Sequence, residues 1–382
     1  MDAPFQKAGS QSRLSGLIGF SPLPLPRSEV PDSRIERPFA NRKTFLVSRS
    51  IRNLIAHVAH VAQVARTTAG VFVYLALTHM RYGDRTEAFH LSLSRMAVFS
   101  AVVAIFLSAM GAAQQDPVLV GAGDIASCDD LSGAEATAKL IDKIPGTVFA
   151  VGDLAYPDGS DQQFAKCYGP TWGRFKNRTR PAPGNHEYHN DGASGYVRYF
   201  GAAAGDPKKE FYSYDLGKWH IISLNSECDQ IGGCSLTSEQ AKWLQQDLAA
   251  HPVACTLAYF HKPLFSSGLK HGNDPDVKPF WEILYHGGAD VIVNGHDNDY
   301  ERFAPQDPNG KADSQHGIRE FVVGTGGKNS HRTFGTTQPN SEIRQADTFG
   351  VLKLTLHAES YDWEFVPEAG KTFTDSGTGR CH

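Results

Sequence analysis

The chain has 382 residues, 41% hydrophobic and 10% aromatic, enough to bury one large core or two modest ones. Its 37 Lys and Arg against 41 Asp and Glu give a formal charge of -4, and no long basic run is interleaved with aromatics. Bulk electrostatics therefore exclude a nucleic-acid backbone as the expected partner and leave a small neutral or acidic substrate open.

Residues 1–95 contain the Pro-punctuated stretch PLPLPRSEVPDSRIERP and the Arg-rich SRSIRNLIAHVAHVAQVARTT, and only one helical stretch. They are expected to be a poorly structured or spurious extension; the competing reading is a cytoplasmic tail with an anchor. Residues 96–113 have the layout of a secretory signal peptide: an arginine just before them, an apolar run, then Gly111 and Ala113 ahead of a cut at Gln114. The run is short for a full span, so an uncleaved anchor is the alternative. Such signals act at an N-terminus, so translation is expected to start at Met96 or Met80, with 114–382 as the folded domain. The expected location is secreted, periplasmic or extracellular, with membrane contact only through an uncleaved segment.

Beyond Gln114 the apolar, β-branched runs PVLVGAGD, TVFAVGD, WHIISLNSE, CTLAYFHKP, DVIVNGHD and REFVVGTGG are each too short for a solitary helix and read as strands buried on both faces. Helical patterns lie between them. SGAEATAKLIDKI sets Ala134, Ala138, Ile141 and Ile144 on one face, and TSEQAKWLQQDL opens with a capping box of Thr237 and Gln240. The tail TFGVLKLTLHAESYDWEFVP alternates like two antiparallel strands hinged at His357–Ser360. The expected class is α/β, a mixed layered sandwich. Six cysteines without a CxxC pair suit disulfides in an oxidising compartment. Cys228 and Cys234 could close a short loop and Cys381 could tie the tail to the body, but sequence alone sets neither pairing.

Four of these segments end on metal-binding residue types, Asp124, Asp153, His261 and His296, and Asn185 with His186 ends a fifth, RPAPGNH. Ligands bind beyond the carboxyl ends of strands in open α/β sheets, so the side chains are expected to meet in one crevice. An Asp after a strand is by itself most often a cap, and a lone His most often structural. Glycine directly before Asp153, Asn185 and His296 favours a site, because it permits close backbone approach. Carboxylate, amide and imidazole donors, with Tyr156 nearby and no thiolate, suit Mn, Zn, Fe or Mg. Two ions sharing a carboxylate would acidify a bridging water and neutralise phosphoryl oxygens, which points to phosphoester hydrolysis.

The ordered blocks GD (123–124), GDLAY (152–156), GNHE (184–187), FHKP (260–263) and GHDNDYER (295–302) resemble those of the calcineurin-like metallophosphoesterases, in the purple acid phosphatase branch. The resemblance implies a four-layer fold, two facing mixed β-sheets flanked by helices. It implies that Asp153 bridges two ions, that Asp124 and Tyr156 bind a first, ferric ion, and that Asn185, His261 and His296 bind a second, Zn, Mn or Fe. His186 would sit over the phosphate as general acid. The implied reaction is attack of a bridging hydroxide on a small phosphomonoester, with a phosphodiester as the alternative.

The family pattern GHxH has Asn298 at its second histidine, a ligand of the first ion. A neutral amide oxygen is a weaker donor than imidazole for Fe or Zn, so a weakened first site, or one that takes Mn or Mg, is expected. Asp297 or Asp299 could compensate, although neighbours on an extended segment point to opposite faces. A working enzyme with a modified site, an impaired relative that binds phosphate or one metal, and a change at this codon all stay open. In YHNDGASGYVRYFG, His189, Tyr196, Arg198 and Tyr199 are candidates for the substrate pocket, against a plain surface loop with aromatic packing. HEYHN is not HExxH, GTGGKNS reads as a strand-end turn and no GxSxG occurs, which disfavours a zincin, a P-loop and a serine hydrolase.

Overall fold

Five-residue runs such as Val118–Ala122 and Thr147–Val151 carry apolar side chains on both faces, which a strand accommodates only between two covering layers. The computed structural model describes residues 115–329 and 333–382 and supplies those layers as two facing mixed sheets; the segments 1–95 and 96–113 discussed above lie outside the described residues. In the first sheet Val118–Ala122, Thr147–Val151 and Thr179–Ala182 run parallel, and Gly350–Leu356, Ser360–Pro367 and Asp375–Arg380 extend it antiparallel from the other side of Val118–Ala122. In the second, Trp219–Ser223, Cys255–Tyr259, Val291–Asn294 and Arg319–Val323 are parallel, with antiparallel strands at both edges. The expected sandwich and the two-strand tail are therefore present.

Period-two alternation decides which residues meet in the middle. Leu257, Tyr259, Val291 and Val293 face Leu119, Phe149 and Val151 of the other sheet, while Ala258 and Ile292 point outward against helices Glu239–Ala250 and Lys278–His286. Helix Ser132–Ile141 covers the first sheet with Ala134, Ala138 and Ile141; it stops before Ile144, which packs on the core from beyond the helix. The sheets are joined at the end that matters: Gly123 N–H donates to Val323 O at 2.9 Å, and Gly326 N–H to Gly123 O at 2.9 Å.

The helix at 239 is capped differently from expectation. Ser238, not Thr237, is the N-cap, its Oγ accepting from Ala241 N–H at 3.2 Å. Gln240 is buried and pairs with the backbone N–H and C=O of Asn225, both at 2.8 Å, because those groups follow a strand into the interior and need partners there. Disulfides link Cys228 to Cys234, Cys255 to Cys381 and Cys128 to Cys167, closing the short loop and tying the tail to a core strand.

Candidate metal centre

The parallel strands of both sheets end on the same side, and their polar terminal residues converge. Asp124, Asp153 and His296 have φ of 58°, 53° and 72°, left-handed values uncommon for residues other than glycine. Strain of this kind persists where surrounding structure over-determines it, and it clusters at functional sites. Glycine is required beside them: a Cβ on Gly152 would lie 2.3 Å from His261 Nδ1, and one on Gly184 2.4 Å from Asp153 Oδ1.

His261 is wholly buried, and its Nδ1 lies 3.0 Å from Val151 O. A carbonyl only accepts, so Nδ1 carries the hydrogen and Nε2 is the ligand-type nitrogen. That Nε2 is 3.2 Å from Asp153 Oδ2, 3.2 Å from Asn185 Oδ1 and 3.2 Å from His296 Nδ1. Two imidazole nitrogens, a carboxylate oxygen and an amide oxygen thus point at one another, a donor set that fits a borderline divalent ion. Burial and the neighbouring His261 hold His296 well below the ordinary histidine value, which leaves it neutral. Burial works against charge on His261 too, but Asp153 outweighs it and raises the imidazole to about 10. The potential that attracts that proton also attracts a cation, and metal binding would displace the proton.

Asp124 lies one step away. Its Oδ1 accepts from the Tyr156 hydroxyl at 2.8 Å and from Asn298 Nδ2 at 2.7 Å, and its Oδ2 accepts from His296 N–H at 2.8 Å. Burial, then the nearby Asp153 charge, push its carboxyl up to about 7 against the pull of His261. Burial and both carboxylates raise the Tyr156 phenol well above 10, so it is a hydrogen-bond donor here. Asp124 and Tyr156 fit a cation-binding role with Asp153 as the shared carboxylate. Asn298 fits less well, because it presents its N–H₂ to Asp124, and its oxygen would face an ion only after the amide turns over. Asp297 does not compensate: it accepts from Ser266 Oγ at 2.5 Å and Gly272 N–H at 3.0 Å, on the other face, and anchors the loop after FHKP.

A cavity of about 210 Å³ opens above these groups, floored by Asp153, Asn185 and His296 and walled by Tyr156, His186, His271, Asn298 and Lys328. His186 Nδ1 lies 2.5 Å from Pro157 O and so donates to it, leaving Nε2 3.7 Å from Asp153 Oδ2. His189, expected to touch substrate, lies one ring farther out, against His186 at 4.7 Å and bonded to the same carbonyl at 3.1 Å. Tyr199, also expected there, does not reach the pocket: helix Ser194–Phe200 turns it onto Phe164 at 4.9 Å, within an aromatic cluster that includes Tyr168. Tyr196 is buried and donates to Pro181 O, and Arg198 pairs with Asp161 at the surface. Three contributors were given no role from the sequence. His271 and Lys328 come from loops, and Glu187 of GNHE sits beneath the site, accepting from the N–H groups of Asp153, Leu154, Ala155 and Gly184.

Comparison with known proteins agrees with this geometry. The profile described as calcineurin-like phosphoesterase matches residues 118–300, which carry every candidate ligand named above. Purple acid phosphatase 15 of Arabidopsis thaliana is 26% identical over 220 residues, 47% of this chain and 41% of that relative. Acid phosphatase type 7 of Homo sapiens is 28% identical over 184 residues, 41% of each chain. The chain thus spans well under two thirds of these relatives. The purple acid phosphatase PPD1 from yellow lupin (Lupinus luteus) seeds shares the fold, with a TM-score of 0.55 at 19% identity over 69% of this chain and 53% of that one. Residues 118–300 thus match the calcineurin-like phosphoesterase profile, and the chain is similar to purple acid phosphatases in sequence and in fold.

Proposed function

We propose that the chain is a metal-dependent phosphoester hydrolase acting on small phosphomonoesters through a dinuclear centre whose two halves differ in strength. The observation that carries this reading is the convergence of Asp153 Oδ2, Asn185 Oδ1 and His296 Nδ1 on His261 Nε2, each at 3.2 Å. These four residues would hold the stronger ion, of the Zn, Mn or Fe type. Asp124, Tyr156 and Asn298, sharing Asp153, would hold the weaker one, for which Mn or Mg also suits the oxygen-rich set. When bound, the ions supply an acidified water and neutralise phosphoryl oxygens.

The chain's own residues do the rest. Glu187 fixes the turn that carries Asp153 through four backbone N–H groups. The Pro157 carbonyl orients the His186 ring through its Nδ1–H and leaves Nε2 facing the cavity, where the doubly protonated ring would pass its Nε2 proton to a leaving alkoxide and return to the neutral Nδ1–H form. The three disulfides support an exported protein, and the anionic charge supports a small-molecule partner over nucleic acid.

The test is elemental analysis of chelator-free protein together with p-nitrophenyl phosphate turnover before and after Mn, Zn or Fe addition. Metal-dependent turnover is expected, and its absence with every metal would overturn the proposal. Running bis(p-nitrophenyl) phosphate beside it separates monoesterase from diesterase.

A further inference from the structure

On the Asn298 side of the cavity the structure holds a cation of its own. Lys328 follows the strand Arg319–Val323, in a turn whose glycines are held tightly: a Cβ on Gly326 would fall 2.4 Å from Gly123 O beside the site, and one on Gly327 2.3 Å from Ala134 N at the start of helix Ser132–Ile141. The backbone N–H of Lys328 donates to the carbonyl of Asp124 at 2.9 Å, so this lysine is fixed to a candidate metal ligand. Its side chain lies along the cavity wall, Nζ 4.9 Å from the Tyr156 ring centroid and donating to Ser127 Oγ at 3.2 Å. Ser127 is itself 4% exposed, and its strand pairs with the one that carries Tyr156. An ammonium has three donors, of which Ser127 takes one. Among the described residues no carboxylate lies within ion-pair distance of Lys328, and the contacts seen for its Nζ are the Ser127 hydroxyl and the Tyr156 ring.

We infer that Lys328 is a phosphate-binding residue that holds the phosphoryl oxygens on the Asn298 side of the cavity. It gives the pocket a fixed positive charge beside the half-site that the amide weakens. The inference rests on the phosphoesterase reading and adds a protein ligand for the substrate's charged group. A compact, rotatable ammonium suits this task, since it meets phosphate as a point charge.

The test is calorimetric binding of inorganic phosphate to the full chain carrying one equivalent of Zn, where the weak half-site contributes least. Lys328→Met is expected to raise the phosphate Kd at least tenfold, with bound Zn by elemental analysis and the melting temperature unchanged, and Lys328→Arg to recover most of the loss. Equal phosphate affinity in wild type and Lys328→Met would overturn the inference and leave the phosphoesterase reading standing. A Lys328→Met loss that is accompanied by lost Zn would also overturn it, because the lysine would then act through the metal. A wild-type chain that takes up Zn but no phosphate would overturn both.

Discussion

Asn298 Nδ2 and the Tyr156 hydroxyl donate to one and the same oxygen, Asp124 Oδ1, at 2.7 and 2.8 Å. An imidazole at 298 would offer a lone pair to an ion, whereas the amide as placed occupies the carboxylate that the ion needs. Asn298→His should therefore tighten binding of the second metal equivalent at least about tenfold. Competition titration with a chromophoric chelator would read this, and elemental analysis should move from about one towards two ions per chain. An unchanged second equivalent would mean that position 298 does not set affinity.

His186 touches the cavity but its ring is not among the converging donors at His261. His186→Asn should lower turnover about 10² to 10⁴-fold, the range of a lost general acid, while metal content holds steady. Loss of metal in parallel with turnover would instead make His186 part of the ion-binding shell.

Much of this site was legible because its ligands end apolar runs, and strand polarity brings such ends together. Asp124, Asp153, Asn185, His261 and His296 were found that way. Asp297 does point away from Asn298, but strand alternation is not the cause, since 296–299 are bends and His296 has a φ of 72°. His271 and Lys328 were not found, since their loops take their course from distant contacts: His271 N–H to Asp297 Oδ1 at 3.3 Å, and Lys328 N–H to Asp124 O. Tyr199 was misjudged for a related reason. An aromatic after GNHE looks equally suited to a pocket or a core, and only the packing of Phe164 and Tyr168 decides for the core.

Metal binding should be readable as stability. His261 Nε2 and the three donors around it come from strand ends of both sheets, so an ion there binds the folded chain and not the unfolded one. Metal at one hundred times its Kd should stabilise by about 2.7 kcal/mol, and a chelator should reverse the gain. His261→Ala should abolish the metal-dependent rise in melting temperature. A rise that survives this substitution would place the ion elsewhere.

A second histidine cluster, away from the cavity, gives a pH-dependent contribution to stability. The His220 side chain is 1% exposed, with Nδ1 2.9 Å from Asp215 Oδ1 and Nε2 2.8 Å from Asp247 Oδ2. Its ring stacks on His251 at 4.2 Å, and Ser213 Oγ donates to Asp247 Oδ1 at 2.8 Å. Burial alone would lower the His220 pKa, but the two carboxylates outweigh it and raise it, which suits a ring donating from both nitrogens. Because the folded value lies above the ordinary 6.5, this stabilisation is complete below 6.5 and is lost as pH rises through the folded value. For Asp247, burial raises and the His220 bond lowers; the net is a value below 3.8, so its contribution is present above 3.8 and fades as pH falls through the folded value. The pair should therefore contribute most between those two ordinary values. His220→Gln should cost about 1–3 kcal/mol in that window, by urea unfolding. The gap to wild type should narrow as pH climbs past the raised His220 value. A gap that does not narrow anywhere above pH 6.5 would show that His220 is not protonated in the folded chain, and that its two carboxylate contacts do not act as an ion pair.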